Sequence, residues 1–208
     1  MGGSVCGPPD PAAGRRDGDG HADRVAIGPF RGTRRTLVLG GARSGKSSFA
    51  EALVTGRGDV DYVACGPVPD GSDPEWTDRV ALHRTRRPAS WRTLETVDLP
   101  GVLGRSGPPV LVDCLTTWLA RVMDDCGIWS EAPSADARLA AEVDALVDAW
   151  RATRRRVVAV SNEVGSGVVP ATASGRRFRD ELGVLNARVA AASPRVWLLT
   201  AGLPQRLR

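Results

Sequence analysis

Residues 36–47, TLVLGGARSGKS, decide the fold. An apolar run beginning at Thr36 closes on two glycines. Gly40, Gly41, Ala42, Arg43, Ser44, Gly45, Lys46 and Ser47 then fill the pattern G-x-x-x-x-G-K-[ST] at every position. A strand that ends in glycines and turns straight into a helix aims backbone N–H groups, and the positive end of the helix dipole, at a phosphate. Lys46 is then placed to reach the β- and γ-phosphates of a nucleotide, and the Ser47 hydroxyl to ligate Mg²⁺.

Outward from this motif, strand-like and helix-like runs alternate. A helix is expected from about Gly45 to Thr55 and a strand over DYVAC (61–65). Asp73-Pro74 reads as an N-cap and first helical position, opening a helix to about Arg84. PVLVDC (109–114) is a buried strand and LTTWLARVMDD the helix after it. Ser134 is expected to cap a long helix with Leu139, Val143, Leu146, Val147 and Trp150 on one face. VVAVSNE (157–163), a helix marked by Phe178, Leu182, Leu185 and Val189, and a last strand RVWLLTAG (195–202) complete the series. Gly101–Pro109 reads as a loop. Continuous apolar strands between amphipathic helices imply an α/β, three-layer P-loop NTPase-type fold with a mostly parallel sheet, RecA-like. It is expected over residues 35–208. Residues 1–34, rich in Gly, Pro, Asp and Arg without hydrophobic period, are expected to be a disordered N-terminal tail.

Composition narrows the function. The 208 residues carry +4, but residues 1–35 hold six Arg and four Asp, leaving 22 basic against 20 acidic residues beyond them. Such balance does not supply the one-signed field that nucleic-acid binding needs. No apolar stretch approaches the roughly 20 residues that span a bilayer, so no membrane insertion is expected. The start has no apolar core and does not read as a signal peptide. Four scattered cysteines form neither a zinc pattern nor a disulfide framework, which fits a reducing cytoplasm. Cys65 and Cys114 read as small buried residues, and Trp76, Trp118 and Trp150 as core or subunit contacts. Only one of the 28 basic residues is lysine, Lys46, and only two histidines are present, His21 and His83.

Asp113 ends the VLVDC strand, on the edge where open parallel sheets bind ligands. It is the natural acidic partner of Ser47 for Mg²⁺, or else the cap of the helix that follows. Asn162 and Glu163 end another strand on that edge, there to touch substrate, to order the Gly165–Gly167 loop, or simply to satisfy turn backbone. Guanine readout of the N-K-x-D type needs a second lysine, and D-x-x-G is absent after Asp113, which removes a GTPase switch. Protein-kinase signatures are missing as well. In RVALHRTRRPASWRTLE (79–95), His83 sits among Arg79, Arg84, Arg86 and Arg87, with Arg79 and Arg87 on its face if the helix continues. A neutral imidazole there can attack phosphorus while guanidiniums neutralise the phosphate oxygens, or the segment is a solvated surface.

At these residues the chain resembles a known family, the bifunctional adenosylcobalamin biosynthesis proteins, adenosylcobinamide kinase/adenosylcobinamide-phosphate guanylyltransferase. The resemblance runs from about Thr36 to the C-terminus. It rests on GGARSGKS (40–47), R-x-x-x-H-x-x-x-R-P-x-x-W-x-T-x-E (79–95), LVDCLTTWL (111–119), SNEVGSGVVP (161–170), FRDELGVLN (178–186) and VWLLTAGLP (196–204). It implies phosphorylation of adenosylcobinamide with ATP or GTP. It also implies transfer of GMP from GTP, through a guanylyl-histidine, to adenosylcobinamide phosphate, giving adenosylcobinamide-GDP. His83 matches the nucleophile position and Lys46 the phosphate-loop lysine. Cys65, Gly66, Pro67, Arg86, Arg87, Pro88, Ala89, Glu95 and Thr116 would line the nucleotide pocket, although Cys65-Gly66-Pro67 departs from the hydroxyl-rich residues expected there. A homotrimer is implied too. Two alternatives stay open: a kinase that has lost guanylyl transfer, and a non-catalytic nucleotide-binding regulator.

Overall fold

The computed structural model describes residues 34–85, 87–130 and 132–208. The expected tail lies outside these residues apart from Arg34, and so does the expected nucleotide-lining Arg86. In chain order the elements are β1 (Arg35–Gly40), α1 (Lys46–Val54), β2 (Asp61–Ala64), α2 (Pro74–Thr85), β3 (Arg92–Glu95) and α3 (Leu99–Gly104). There follow β4 (Val110–Asp113), α4 (Leu115–Asp125), α5 (Ala135–Ala152), β5 (Val157–Asn162), α6 (Ala173–Ala191), β6 (Arg195–Thr200) and β7 (Leu203–Arg206).

The strands form one sheet in the order β3-β2-β4-β5-β1-β6-β7. Every neighbouring pair is parallel except β6 and β7. β5 separates β1 from β4, the RecA-like arrangement expected. The C-terminal ends of β1, β2, β4 and β5 therefore share one edge, which carries the phosphate loop, Cys65, Asp113 and Asn162. The central strands are apolar throughout because helices cover them. Leu37, Val63, Val112 and Ala159 pack in one cluster with Trp118, Leu146, Trp150 and Leu185. All five residues of the expected α5 stripe are buried. Trp118 and Trp150 are core residues whose ring N–H groups donate to Val97 O at 2.8 Å and Ser193 Oγ at 3.0 Å. Such bonds remove the cost of burying an indole N–H. Among the described residues no helix is long and apolar enough to cross a membrane.

Several details differ from the sequence reading, among them β3 (Arg92–Glu95), which was not expected as a strand. β6 is not the last strand: Ala201 and Gly202, at φ 51° and 82°, turn the chain back into β7. Two successive residues of positive φ make a tight hairpin, and Pro204 is tolerated because β7 is an edge strand. The Gly101–Pro109 stretch is not all loop. Asp98 caps α3 by accepting from Gly101 N at 2.8 Å, with Pro100 in the first turn. Ser134 does stand at the N-cap of α5, but at φ 62° its side chain makes no capping bond. α2 ends at Thr85, so Arg87 does not continue the face of His83. Finally, Cys114 is half-buried rather than buried; Trp76, read as a core or subunit contact, is also half-buried.

Candidate functional site

The phosphate loop is held by fit and by its neighbours. A Cβ on Gly40 would stand 2.4 Å from Ser44 Oγ and 2.8 Å from Leu199 O, so only glycine lets the loop fold back at this point. Gly45 has φ 87°, a left-handed turn that opens α1. Gly202 N donates to Ser44 O at 3.1 Å, so the β6–β7 turn braces the loop from outside the motif. Lys46 is 5% exposed and its Nζ donates to Gly41 O at 3.0 Å. Residues Ala42–Ser48 line an open cavity whose far wall is α2, through Glu75, Asp78, Leu82 and His83.

Behind His83 lies a row of polar contacts. His83 Nδ1 is 3.4 Å from Asp113 Oδ2, and the same oxygen accepts from the Tyr62 hydroxyl at 2.8 Å. Burial by itself would raise the Asp113 carboxyl. The hydrogen bond and charge of His83, the Tyr62 hydroxyl and the charge of Lys46 outweigh it and hold the group below the usual carboxylate range. Burial and the Asp113 charge push Tyr62 up, so it stays a phenol that donates. Burial, with Asp113 adding to it, likewise raises the Cys114 thiol.

A second cavity opens on the other side of His83. Its walls include Tyr62, Gly66, Pro67, Trp76, Arg84, Arg87, Glu95, Asp113, Cys114 and Thr117. Trp76 is fixed there by an Nε1 bond to Pro67 O at 2.9 Å, and a Cβ on Gly66 would meet its ring at 2.6 Å. Arg84 pairs with Glu95 at 2.8 Å. The Arg87 guanidinium lies 3.3 Å from the centroid of the Tyr62 ring and donates to Thr93 Oγ1 at 3.2 Å. His83 lines both cavities, so it separates a phosphate-binding space from one walled by aromatic and charged groups.

The expected site residues distribute unevenly around these two spaces. Ala42 to Ser47 line the first cavity, and Gly40 and Gly41 shape its loop. Gly66, Pro67, Arg87 and Glu95 line the second. Cys65 is fully buried in the core. Thr116 is tied to β5, accepting from Asn162 N at 2.8 Å and lying 3.5 Å from Ser161 Oγ. Pro88 and Ala89 form the turn after α2, closed by Trp91 N donating to Pro88 O at 3.0 Å. Glu163 Oε1 accepts from Gly165 N at 2.6 Å, a bond to the turn backbone of the loop that follows β5. Sequence reasoning missed Tyr62, Trp76, Cys114 and Thr117 as wall residues. Tyr62 is the chain's single tyrosine, the one signal that could have drawn attention to it.

The residues present suit a hard divalent ion. Among the described residues no three His, Cys, Asp or Glu side chains converge on one point, so no all-protein metal cage exists there. Mg²⁺ needs none, since one or two protein oxygens and the substrate's phosphates usually hold it. Among the described residues the Ser47 hydroxyl and Asp113 Oδ1 make no hydrogen bond, leaving two oxygen donors uncommitted at the phosphate-binding edge.

The family model described as cobinamide kinase / cobinamide phosphate guanyltransferase matches residues 36–207. The bifunctional adenosylcobalamin biosynthesis protein CobP of Pseudomonas aeruginosa is 42% identical over 181 residues, 84% of this chain and 97% of that protein. The bifunctional adenosylcobalamin biosynthesis protein CobU of Escherichia coli is 36% identical, over 83% of this chain and 98% of its own length. Its namesake in Salmonella typhimurium is 35% identical with the same coverages.

Proposed function

This chain belongs to the cobinamide kinase / cobinamide phosphate guanyltransferase family, and from that premise we propose how its two cavities divide the work. It is an enzyme of adenosylcobalamin biosynthesis with both activities, kinase and guanylyltransferase. In the first reaction the hydroxyl of adenosylcobinamide attacks the γ-phosphorus of ATP or GTP, and the nucleoside diphosphate leaves. Lys46 and the loop amides stabilise the charge that develops on the phosphate oxygens. Ser47 and Asp113 would hold Mg²⁺, which when bound adds positive charge beside those oxygens.

In the second reaction the Nε2 lone pair of His83 attacks the α-phosphorus of GTP. The bond to the β-phosphate oxygen breaks, pyrophosphate leaves, and GMP stays on His83 as a phosphoramidate. A phosphate oxygen of adenosylcobinamide phosphate then attacks the same phosphorus. The P–N bond breaks, the imidazole is restored, and adenosylcobinamide-GDP is released. The single observation that carries this reading is the position of His83, on the wall of both cavities with Nδ1 facing Asp113 at 3.4 Å. Gly66, Pro67, Arg87 and Glu95 belong to the nucleotide pocket on the same reading, and Cys65, Pro88, Ala89 and Thr116 support its walls.

We read the working form as a cytoplasmic homotrimer. Val168 and Val169, 94% and 63% exposed on the loop beyond β5, are apolar surface that a neighbouring subunit would cover. Sedimentation would give the trimer mass, and a monomer at working concentration would refute it. The function itself is tested by supplying adenosylcobinamide, Mg²⁺ and GTP. GDP and pyrophosphate should appear in equal amounts with adenosylcobinamide-GDP. GDP without pyrophosphate would mean a kinase alone, and neither product would mean a binding protein.

A further inference from the structure

Tyr62 has no part in the reaction as written, yet it touches two of the groups that do. It lies on β2 between β3 and β4, 2% exposed, with its hydroxyl on Asp113 Oδ2 and its ring under the Arg87 guanidinium. Register explains the reach. Tyr62 pairs with Leu111 and Ala64 with Asp113, so Tyr62 and Asp113 are diagonal neighbours on one face of two adjacent strands, close enough for a long side chain to bridge. A buried phenol needs a hydrogen-bond partner, and here that partner is the carboxylate facing His83.

We propose that Tyr62 is the positioning residue of guanylyl transfer: it fixes Asp113 Oδ2 so that His83 keeps its proton on Nδ1 and its lone pair on Nε2, and its ring holds Arg87 at the wall of the second cavity. This rests on the reading of His83 as nucleophile. The argument is geometric. A carboxylate on a single Cβ–Cγ bond is free to rotate, and the Tyr62 hydroxyl, donating to Oδ2 at 2.8 Å, stops it with that oxygen 3.4 Å from His83 Nδ1. With Oδ2 committed in this way, Oδ1 makes no hydrogen bond among the described residues. A histidine whose Nδ1–H is held by a carboxylate presents a basic Nε2, because the bond at one nitrogen sets the tautomer of the other. Arg87 sits on the ring face as a cation–π partner, so the same side chain supports a guanidinium at the wall of the second cavity.

Two variants separate the two jobs. Tyr62→Phe keeps the ring and loses the hydroxyl, whereas Tyr62→Leu loses both. With GTP labelled at the α-phosphate, the rate of His83 labelling at saturating GTP should fall about 10- to 100-fold in Tyr62→Phe, the usual cost of losing such a supporting bond. Its half-saturating GTP concentration should stay as in wild type. Tyr62→Leu should show the same fall and also need more GTP. A merely structural role would lower the labelled fraction in step with the folded fraction and leave the rate of the folded molecules alone.

The second measurement does not depend on chemistry. Nitrogen-15 NMR of histidine-labelled protein, assigned by the signal missing from His83→Ala, should show the Nδ1–H tautomer of His83 in wild type and a mixture in Tyr62→Phe. Equal labelling rates, or unchanged tautomers, would overturn the proposal. A tautomer difference between wild type and Tyr62→Phe, with no label taken by wild type, would overturn the nucleophile reading and leave the Tyr62–Asp113–His83 linkage standing.

Discussion

His83 Nδ1 and Asp113 Oδ2, from α2 and the end of β4, face each other at 3.4 Å. This contact joins the residue that would carry GMP to the residue that would hold Mg²⁺, although 30 positions separate them in the chain. On the proposed reading the two reactions share Asp113 but not His83. Asp113→Asn should lower both phosphorylation and guanylyl transfer, by about 100-fold or more, since it weakens the ion site and removes the carboxylate charge that faces the imidazole. His83→Ala should reduce guanylyl transfer by a far larger factor than phosphorylation. Steady-state release of nucleoside diphosphate and of pyrophosphate, measured side by side, checks both. Equal losses in His83→Ala would argue against the division of labour.

Gly40→Ala tests the fit of the phosphate loop. The added methyl would press on Ser44 Oγ and on the backbone carbonyl of Leu199, which cannot move aside without shifting β6. Overpacking of this kind costs about 1–3 kcal/mol, and here it falls on the loop. The variant should stay folded by circular dichroism and lose nucleotide affinity in calorimetry. Undiminished binding would show that the loop does not depend on this contact.

Stability is tested at the opposite edge of the sheet. Asp61, at the start of β2, is 2% exposed and takes Arg155 Nη2 on one oxygen and Arg92 on the other at 2.9 Å. Arg155 is itself buried and also donates to Val102 O and Pro108 O, tying α3 and the entry to β4 onto β2. Arg155→Ala removes the buried partner of a buried carboxylate and should cost about 3–5 kcal/mol in urea unfolding. Arg92 is 67% exposed at its side chain, so Arg92→Ala should cost about 1 kcal/mol or less. Similar costs for the two would mean that burial does not govern this pair.

The domain boundary yields a deletion. β1 begins at Arg35, and Val157 N donates to Arg34 O at 2.7 Å, so the sheet uses the backbone from Arg34 onward. A chain beginning at residue 34 should keep its melting temperature and both activities. Loss of either would mean that residues before Arg34 belong to the working domain.

How much of this was legible in the sequence depended on whether a signal was local. The phosphate loop, the stripe from Leu139 to Trp150 and the apolar strands were readable because their periods and turn residues lie within a dozen positions. β3 and β7 were not seen as strands because edge strands of four residues carry polar side chains and no apolar run. α3 was hidden by its Pro and Gly, which usually punctuate loops but here supply a first turn and an end. For the site, His83 and Asp113 could each be singled out, yet their pairing arises only when α2 packs over the ends of β2 and β4. Tyr62 was invisible for the same reason. Its task comes from the register between two strands, which no single segment encodes.

Whether His83 carries GMP is decided by incubating the purified protein with Mg²⁺ and GTP labelled at the α-phosphate, beside His83→Ala. A protein-bound label that is acid-labile, base-stable and chased by adenosylcobinamide phosphate is expected, and no label in the variant. Label retained by His83→Ala, or wild type that binds GTP without becoming labelled, would contradict it.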